Sequence, residues 1–376
     1  MYLALLELKA ARGRFLLMGS VVVLVAALVG VVTGFTTGLG DDTISALRRL
    51  PATHLAFARG ADSDQFARSL VGRADLDGWR ARKDVDATPL GVSIARGTTD
   101  RKVEVDFAAF GVEPGSFLDP GTTSGTTSGA GLSAGSPSGI VVSQQLVKDG
   151  VRVGDTLEVD RLGIGLKVTG TTGRSSYGHV PVAYLPVETW QRIRFAAPGA
   201  RISGAEPPQQ YSAVAVKAGP DADLAAADRA LGTRTLAVAD AYAAAPGYTG
   251  ERVTMTSIQA FLYVIAPLVV GAFFAVWTVQ RRPELALLRA MGASRLRLLG
   301  HTLAQAAVVV GAGTAIGAAL AAGLGLLVGT EVPFSLPGTS LAATMATVGL
   351  VGLAGTAVTL RKVTTADPMT MLGAGR

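Results

Sequence analysis

The chain has 376 residues, a mean hydropathy of +0.40, 16% charged residues and a formal net charge of +6. These values are apolar for a soluble domain and polar for a bundle that lies wholly in lipid, so the apolar residues must be concentrated in segments. The absence of cysteine excludes disulfides, thiol nucleophiles and thiolate metal sites.

The first segment combines a basic start with a long apolar run. The basic residues of the start are Lys9, Arg12 and Arg14. The apolar run that follows is longer than the roughly 7–15 residues of a signal-peptide core, and no A-x-A-like cleavage site comes after it. We therefore expect a retained membrane anchor.

Four segments lack Asp, Glu, Lys and Arg for long enough to span a bilayer, which requires roughly 20 residues. The predicted spans are 15–37, 253–279, 298–329 and 340–360. They are joined by a large region at 38–252, a loop at 280–297 and a short outer loop at 330–339, and a tail follows at 361–376. The fold class predicted is a membrane protein with four transmembrane α-helices and a large domain inserted between helices 1 and 2.

The distribution of charge predicts the orientation. Residues 1–14, 281–297 and 361–376 together hold eleven basic and three acidic side chains, whereas the remainder holds 23 basic and 25 acidic ones. Since basic residues near span ends favour the cytoplasm, both termini are expected in the cytoplasm. The chain is expected to be a multi-pass protein of the plasma membrane. The pI near 9.7 then reflects membrane topology, and no nucleic-acid partner is expected.

Region 38–252 is therefore expected to be extracytoplasmic, and its pattern predicts an α+β domain. Residues 41–50 should form a helix that continues the first span as a stalk, with Asp41 or Asp42 as an N-cap. A second helix is expected at 221–231, after an Asp-rich start. Runs with strand character lie at 53–58, 103–112, 156–160, 166–172, 180–187 and 211–217.

The stretch 119–139 consists almost entirely of Gly, Ser and Thr with a few Pro and Ala. It has almost nothing to bury, so it is predicted to be a flexible surface loop.

The sequence offers little for catalysis. It contains neither a Gly-Lys dipeptide for a phosphate-binding loop nor an H-E-x-x-H motif, and its three histidines are scattered. His179 could ligate haem or a metal, but a polar loop histidine is the favoured interpretation. The chain is predicted to be no enzyme, with no catalytic, cofactor-binding or metal-binding residue.

Glycines in the third predicted span permit close helix packing. They are Gly311, Gly313, Gly317, Gly323 and Gly325.

A short helix is predicted inside the 280–297 loop, where residues 278–294 read TVQRRPELALLRAMGAS. Pro283 suits the first helical position, Glu284 the first turn, and Gly292 the position after the last turn. Leu285 and Leu288 share a face with Met291 or Gly292. Such a helix could merely join two spans at the interface, or it could fit into a cleft on another protein.

These residues resemble the coupling helix of FtsX/MacB-type ABC transporter permeases. The N-terminal MYLALLELKAARGRF resembles the amphipathic start of the branch that includes DevC-like and HrtB-like members, which implies a cytoplasmic amphipathic helix at 1–14. The stretches GVRVGDTL at 150–157, GHVPVAYL at 178–185 and the C-terminal RKVTTADPMTML also fit. The 119–139 insertion departs from the pattern. By this resemblance the ATPase-coupling residues are Arg282, Pro283, Glu284, Leu285, Leu288, Arg289, Ala290 and Gly292.

The resemblance implies a homodimeric permease in membrane lipid, with a MacB-like core domain and a cytoplasmic dimer of ABC ATPase subunits that binds ATP and Mg. The implied activity is export of a hydrophobic or amphipathic substrate, with haem-like molecules and lipids as options. Two alternatives stay open: an FtsX-like mechanotransmission subunit that regulates an extracytoplasmic cell-wall hydrolase, and a membrane-anchored binding protein without an ATPase.

Overall fold

The computed structural model describes most of the chain and divides into two units. The described residues are 12–61, 65–122, 124–125, 132, 139–196, 206–280, 291, 294–328 and 333–365. One unit, the domain unit, comprises residues 40–251, and the other, the membrane unit, comprises residues 1–39 and 252–376.

The helices alternate with strands only in the central part of the chain. In chain order the helices are α1 (Arg12–Arg48), α2 (Gln65–Arg68), α3 (Arg73–Arg80), α4 (Gln144–Lys148), α5 (Val187–Phe195), α6 (Leu224–Leu231), α7 (Tyr248–Gln280), α8 (Arg295–Val328) and α9 (Gly338–Thr365), with a 3-10 helix at Asp240–Ala244 before α7. The strands are β1 (His54–Ala58), β2 (Val71–Gly72), β3 (Val85–Thr99), β4 (Glu104–Val112), β5 (Ser124–Gly125), β6 (Gly139–Ser143), β7 (Thr156–Val159), β8 (Ile164–Thr172), β9 (Ser176–Tyr177), β10 (Val180–Pro186), β11 (Gln210–Tyr211), β12 (Ala213–Ala218) and β13 (Thr233–Ala237).

Four helices are long and apolar enough to cross a membrane, as predicted from the sequence. The candidate spans are Leu16–Arg48, Tyr248–Trp277, Thr302–Val328 and Gly338–Val358. All four contribute to one apolar cluster, in which Met18 of α1, Trp277 of α7 and Val310 of α8 are buried and Leu353 of α9 packs against them. The membrane unit therefore has a core of its own.

Helix α1 is a single helix of 37 residues, so the prediction that residues 41–50 continue the first span as a helix is confirmed up to Arg48. The prediction of an N-cap at Asp41 or Asp42 is wrong. The chain is already helical there, so no helix starts at these carboxylates; Asp41 instead pairs with Arg48.

The domain unit is built on a mixed sheet with the strand order β13-β1-β12-β3-β4-β10-β6-β8-β5. Strand β7 joins β3 and β8, and β9 pairs with β10. Most pairs are antiparallel, but β10 runs parallel to β4 and β6 runs parallel to β8. The predicted strand runs are confirmed as β1, β4, β7, β8, β10 and β12, and the predicted helix as α6. Strands β3, β6 and β13 and the short strands β2, β5 and β9 were not predicted.

Two facing glycines make room for a fully buried tryptophan side chain in one core cluster of the domain. Gly91 of β3 pairs with Gly111 of β4, and a Cβ at these positions would lie 2.2 Å and 2.4 Å from Trp190 of α5. Trp190 is fully buried, and its Nε1 donates a hydrogen bond of 3.0 Å to the hydroxyl of Ser93. The absence of side chains at this pair lets α5 lie directly on the sheet.

The motif at 150–157 forms a turn held by one ion pair. The Nη2 atom of Arg101 donates hydrogen bonds to Asp155 Oδ2 at 2.8 Å and to the carbonyl oxygen of Gly150 at 2.5 Å. The backbone N–H of Arg152 also donates to Asp155. The hydrogen bond from Arg101 lowers the pKa of Asp155 below its ordinary value.

Most of the stretch 119–139 lies outside the described residues, and its described part departs from the predicted flexible loop. Leu132 is only 4% exposed and belongs to a core cluster of the domain, and its N–H donates a 2.8 Å hydrogen bond to Asp119. Ser124–Gly125 also pair with β8, and Gly139 begins β6, so the predicted flexible surface loop is wrong at these residues and at Leu132. Its one leucine anchors it to the core.

Leu132→Ala should lower the free energy of unfolding of the domain unit by about 2–5 kcal/mol, because it removes buried methyl groups and leaves a cavity. Val147→Ala is the control, since Val147 is 40% exposed and should cost far less. Thermal unfolding of the full chain in detergent measures both changes. Equal midpoints for the two variants would contradict the anchoring role of Leu132.

Candidate functional site

The predicted coupling residues Arg282, Pro283, Glu284, Leu285, Leu288, Arg289, Ala290 and Gly292 all lie outside the described residues. Their flanks are described. Helix α7 ends at Gln280 and α8 begins at Arg295, and Met291 between them is 68% exposed. The coupling helix thus stays a prediction from the sequence.

Within the membrane unit, α1 and α8 approach closely at small residues. A Cβ on Gly313 would lie 2.6 Å from a methyl group of Val22, and one on Gly317 would lie 2.6 Å from the Cβ of Ala26 and 2.8 Å from the carbonyl oxygen of Val23. The predicted close packing is confirmed at these two glycines. It is not found at Gly311 or Gly323, where a Cβ would meet nothing within 4 Å.

The segment before α9 inserts an aromatic ring between two of these helices. A Cβ on Gly34 of α1 would lie 2.2 Å from the ring of Phe334, and one on Gly325 of α8 would lie 2.4 Å from it. The ring also makes an edge contact with Phe35, and the N–H of Ser335 donates to the carbonyl of Gly34 at 3.0 Å. Phe334 therefore holds α1 and α8 at this level.

In the domain unit, a polar cluster joins three segments that are distant in sequence. We call Asp42, Thr43, His179 and Glu251 the polar cluster. His179 Nε2 lies 2.7 Å from Glu251 Oε1, and the Thr43 hydroxyl donates to Glu251 Oε2 at 3.0 Å. His179 Nδ1 lies 3.9 Å from Asp42 Oδ2. An ionised carboxylate only accepts, so a hydrogen bond from His179 to ionised Glu251 requires a proton on Nε2.

A second set of hydrogen bonds fastens the same end of α1 to the sheet. The N–H of Ser176 donates to the Ser45 hydroxyl at 2.8 Å. Gln145 donates to Asp42 at 3.4 Å and accepts from the Ser176 hydroxyl at 2.5 Å. Helix α1 is therefore attached to β9 and to α4 by side chains as well as by apolar packing.

The polar cluster consists of side chains that hydrogen bond to one another or, for Asp42, lie within ion-pair distance. Among the described residues, no three His, Cys, Asp or Glu side chains are grouped so that they could hold a metal ion. His179 lies in the turn between β9 and β10, hydrogen bonded on its imidazole ring, as the polar loop interpretation expects. Thr43, Glu251 and Phe334 were not predicted from the sequence, in which their only signal is their place near the ends of predicted spans.

Two family models match consecutive parts of the chain. A model described as MacB-like periplasmic core domain matches residues 15–234, which is more than half of the chain. A model described as FtsX-like permease C-terminal matches residues 256–368. The chain belongs to the FtsX/MacB-like family of ABC transporter permeases. It is therefore a multi-pass membrane protein and the permease subunit of an ABC transporter, and membership implies an ATPase partner.

Curated relatives match this permease over its full length. A protein of Staphylococcus epidermidis (strain ATCC 12228 / FDA PCI 1200), named as a hemin transport system permease protein HrtB, is 21% identical over 100% of both chains. A protein of the same name from Staphylococcus haemolyticus (strain JCSC1435) is 22% identical over 99% of both chains.

Solved structures match the permease over about half its length. The periplasmic region of MacB from Actinobacillus actinomycetemcomitans is 13% identical, covering 52% of this chain and 92% of that one with a TM-score of 0.37. The extracellular domain of the ABC-type transporter YknZ from Gram-positive bacteria is 15% identical, covering 48% and 92% with a TM-score of 0.34.

Proposed function

We propose that this permease couples ATP hydrolysis by a separate cytoplasmic ATPase dimer to the export of a hydrophobic or amphipathic molecule. The observation that carries the proposal is the order of parts: four candidate spans, with a sheet domain between the first and second, match the two family models along the chain. In this proposal the permease is a homodimer and the chain itself hydrolyses nothing.

The proposed topology places both termini and the 280–297 loop in the cytoplasm and the domain unit outside. The excess of basic residues in 1–14, 281–297 and 361–376 supports it. The domain boundaries predicted from the sequence, including residues 38–252 for the extracytoplasmic domain, belong to the same proposal. The helix at 283–292 is proposed to dock in a groove of the ATPase.

For the substrate, we propose a haem-like molecule as the first class to test, with lipids as the second. The full-length relatives carry hemin transport in their names. The predicted spans contain no Asp, Glu, Lys or Arg, which suits an apolar cargo better than a proton or sodium relay.

The runner-up function is mechanotransmission to an extracytoplasmic cell-wall hydrolase. The match of residues 256–368 to the FtsX-like model favours it. A subunit of this kind would move its outer domain on ATP hydrolysis without carrying a substrate. A binding protein without an ATPase is the least supported, because it leaves the permease match unused.

Export is tested with hemin as the probe cargo. Cells that express the permease with its ATPase should tolerate more external hemin and accumulate less of it than cells with the permease and an ATPase lacking its Walker A lysine. Unchanged hemin accumulation would remove the haem-like class. If the active ATPase instead relieves a growth defect that depends on a cell-wall hydrolase, mechanotransmission is favoured.

Orientation is tested by cysteine labelling, for which the chain has no background cysteine. Val147→Cys should react with a membrane-impermeant maleimide on intact cells, because Val147 lies on the surface of the domain unit. Ser294→Cys should react only after the membrane is permeabilised. Labelling of position 294 on intact cells would contradict the four-span topology.

A further inference from the structure

The polar cluster joins the parts of the two long helices α1 and α7 that belong to the domain unit. Thr43 is in the last turns of α1, and Glu251 is in the first turn of α7. His179 lies in the turn that leads into β10, a strand paired with β4 on one side and β6 on the other. The cluster therefore connects two helices with the interior of the sheet.

The contacts at this point hold both oxygens of one carboxylate. Glu251 accepts from His179 through Oε1 and from Thr43 through Oε2. Thr43 is fully buried, and its carbonyl also accepts a 2.9 Å hydrogen bond from the N–H of Gly178. Each helix is thus tied to the β9–β10 turn and to the other helix.

The backbone at the turn is unfavourable for a residue with a side chain. His179 has φ of +66° and follows Gly178, which has φ of +58°. A histidine with positive φ persists only where its surroundings specify it. The hydrogen bond to Glu251 is one interaction that stabilises this backbone conformation of His179. The position of the His179 side chain and the conformation of the turn therefore depend on each other.

We propose that Thr43, His179 and Glu251 form a transmission joint, which makes α1, α7 and the sheet move as one body during the ATPase cycle. This inference rests on the proposed function. Thr43 lies near the end of the candidate span Leu16–Arg48 and Glu251 near the start of the candidate span Tyr248–Trp277, so a movement of these helices would reach the β9–β10 turn through the two side chains. The three side chains are positioning residues and touch no cargo. Without Glu251, α7 could move without carrying the β9–β10 turn.

The test compares Glu251→Ala with Glu251→Gln, which can still donate or accept hydrogen bonds, and with His179→Asn, since asparagine tolerates positive φ but has a shorter side chain. Arg48→Ala is the matched control, because Arg48 forms an ion pair within α1 only, with Asp41. Each variant is reconstituted with the ATPase in proteoliposomes. ATP hydrolysis and hemin transport are measured together.

Glu251→Ala and His179→Asn should keep ATPase association and the rate of hydrolysis, and should lower the hemin transported per ATP by about fivefold or more, the effect of losing roughly one charge-assisted hydrogen bond. Glu251→Gln should recover at least part of this ratio, and Arg48→Ala should leave it unchanged. A ratio within about twofold of wild type for Glu251→Ala would overturn the joint. Transport, hydrolysis and thermal stability falling in parallel would also overturn it, as the cluster would then only stabilise the fold.

A second measurement separates the joint from the proposed function. Amide hydrogen exchange on the full permease alone should be about fivefold faster in Glu251→Ala than in Arg48→Ala at residues 178–182 and in the first turn of α7, because local opening there becomes easier. A wild-type complex that transports no hemin, with this exchange difference present, contradicts the haem-like export proposal and leaves the connection standing. Equal exchange in the two variants overturns the joint whatever the transport result.

Discussion

Gly317→Leu should prevent the membrane unit from packing and should remove most of the folded permease from detergent extracts. A Cβ at this position would lie 2.6 Å from the Cβ of Ala26, 2.8 Å from the carbonyl oxygen of Val23 and 2.9 Å from the N atom of Ala27. Two of these neighbours are backbone atoms of α1, which cannot move aside as a flexible side chain could. Helices α1 and α8 must therefore separate, and in a membrane their association depends on such close contacts.

Gly311→Leu is the matched control for this prediction. It adds the same side chain to the same helix, where a Cβ meets nothing within 4 Å. Size-exclusion chromatography of fluorescently tagged variants measures the folded fraction, and a thermal scan measures its stability. We expect Gly311→Leu to behave like wild type, and an equally monodisperse Gly317→Leu would contradict the α1–α8 contact.

Leu288→Ala should weaken the complex with the ATPase roughly tenfold or more. If Leu288 anchors the predicted coupling helix in a groove of the ATPase, its truncation costs about 2 kcal/mol, and each 1.4 kcal/mol is about a factor of ten in affinity. The double variant with Leu285→Ala should be weaker still. Insertion and folding should be unaffected, because residues 280–297 lie outside the predicted spans.

Leu287→Ala provides the control within the same segment. It makes the same chemical change at a neighbouring position, which the helical period of 3.6 residues places on a different face from Leu285 and Leu288. Affinity for the ATPase is measured by titration of the purified permease in detergent. Similar losses for Leu287→Ala and Leu288→Ala would mean that these residues do not form a one-sided docking face.

Features set by local composition could be predicted from the sequence. A run of about 20 residues without a charged side chain has few alternatives to a membrane helix, so four candidate spans were expected. The alternating small and branched residues of β12 are equally local, and this strand pairs with β1 and β3. The start of a helix was less predictable, because Asp41 and Asp42 resemble caps but lie inside α1.

Features set by the topology could not be predicted. Strand β3 contains Pro89 and Gly91, which are residues that interrupt a strand pattern. In the fold, however, Pro89 pairs with Val214, and Gly91 leaves room for the ring of Trp190. Leu132 is a lone apolar residue in a Gly- and Ser-rich stretch, and its burial depends on the cluster around it. Thr43 and Glu251 are 208 positions apart, so only the fold brings them together.

The proposed function depends most directly on a stable complex between the permease and a separate ATPase. The tagged permease is purified from its native membrane in mild detergent, and the protein bound to it is identified by its sequence. We predict an ABC ATPase with a Walker A motif, equimolar with the permease, whose hydrolysis is lost when its Walker A lysine is replaced and whose binding is weakened by Leu288→Ala but not by Leu287→Ala. The contradicting result is a folded permease that carries no ATPase, although its thermal stability in the detergent matches that in the membrane. This result would contradict the proposed function.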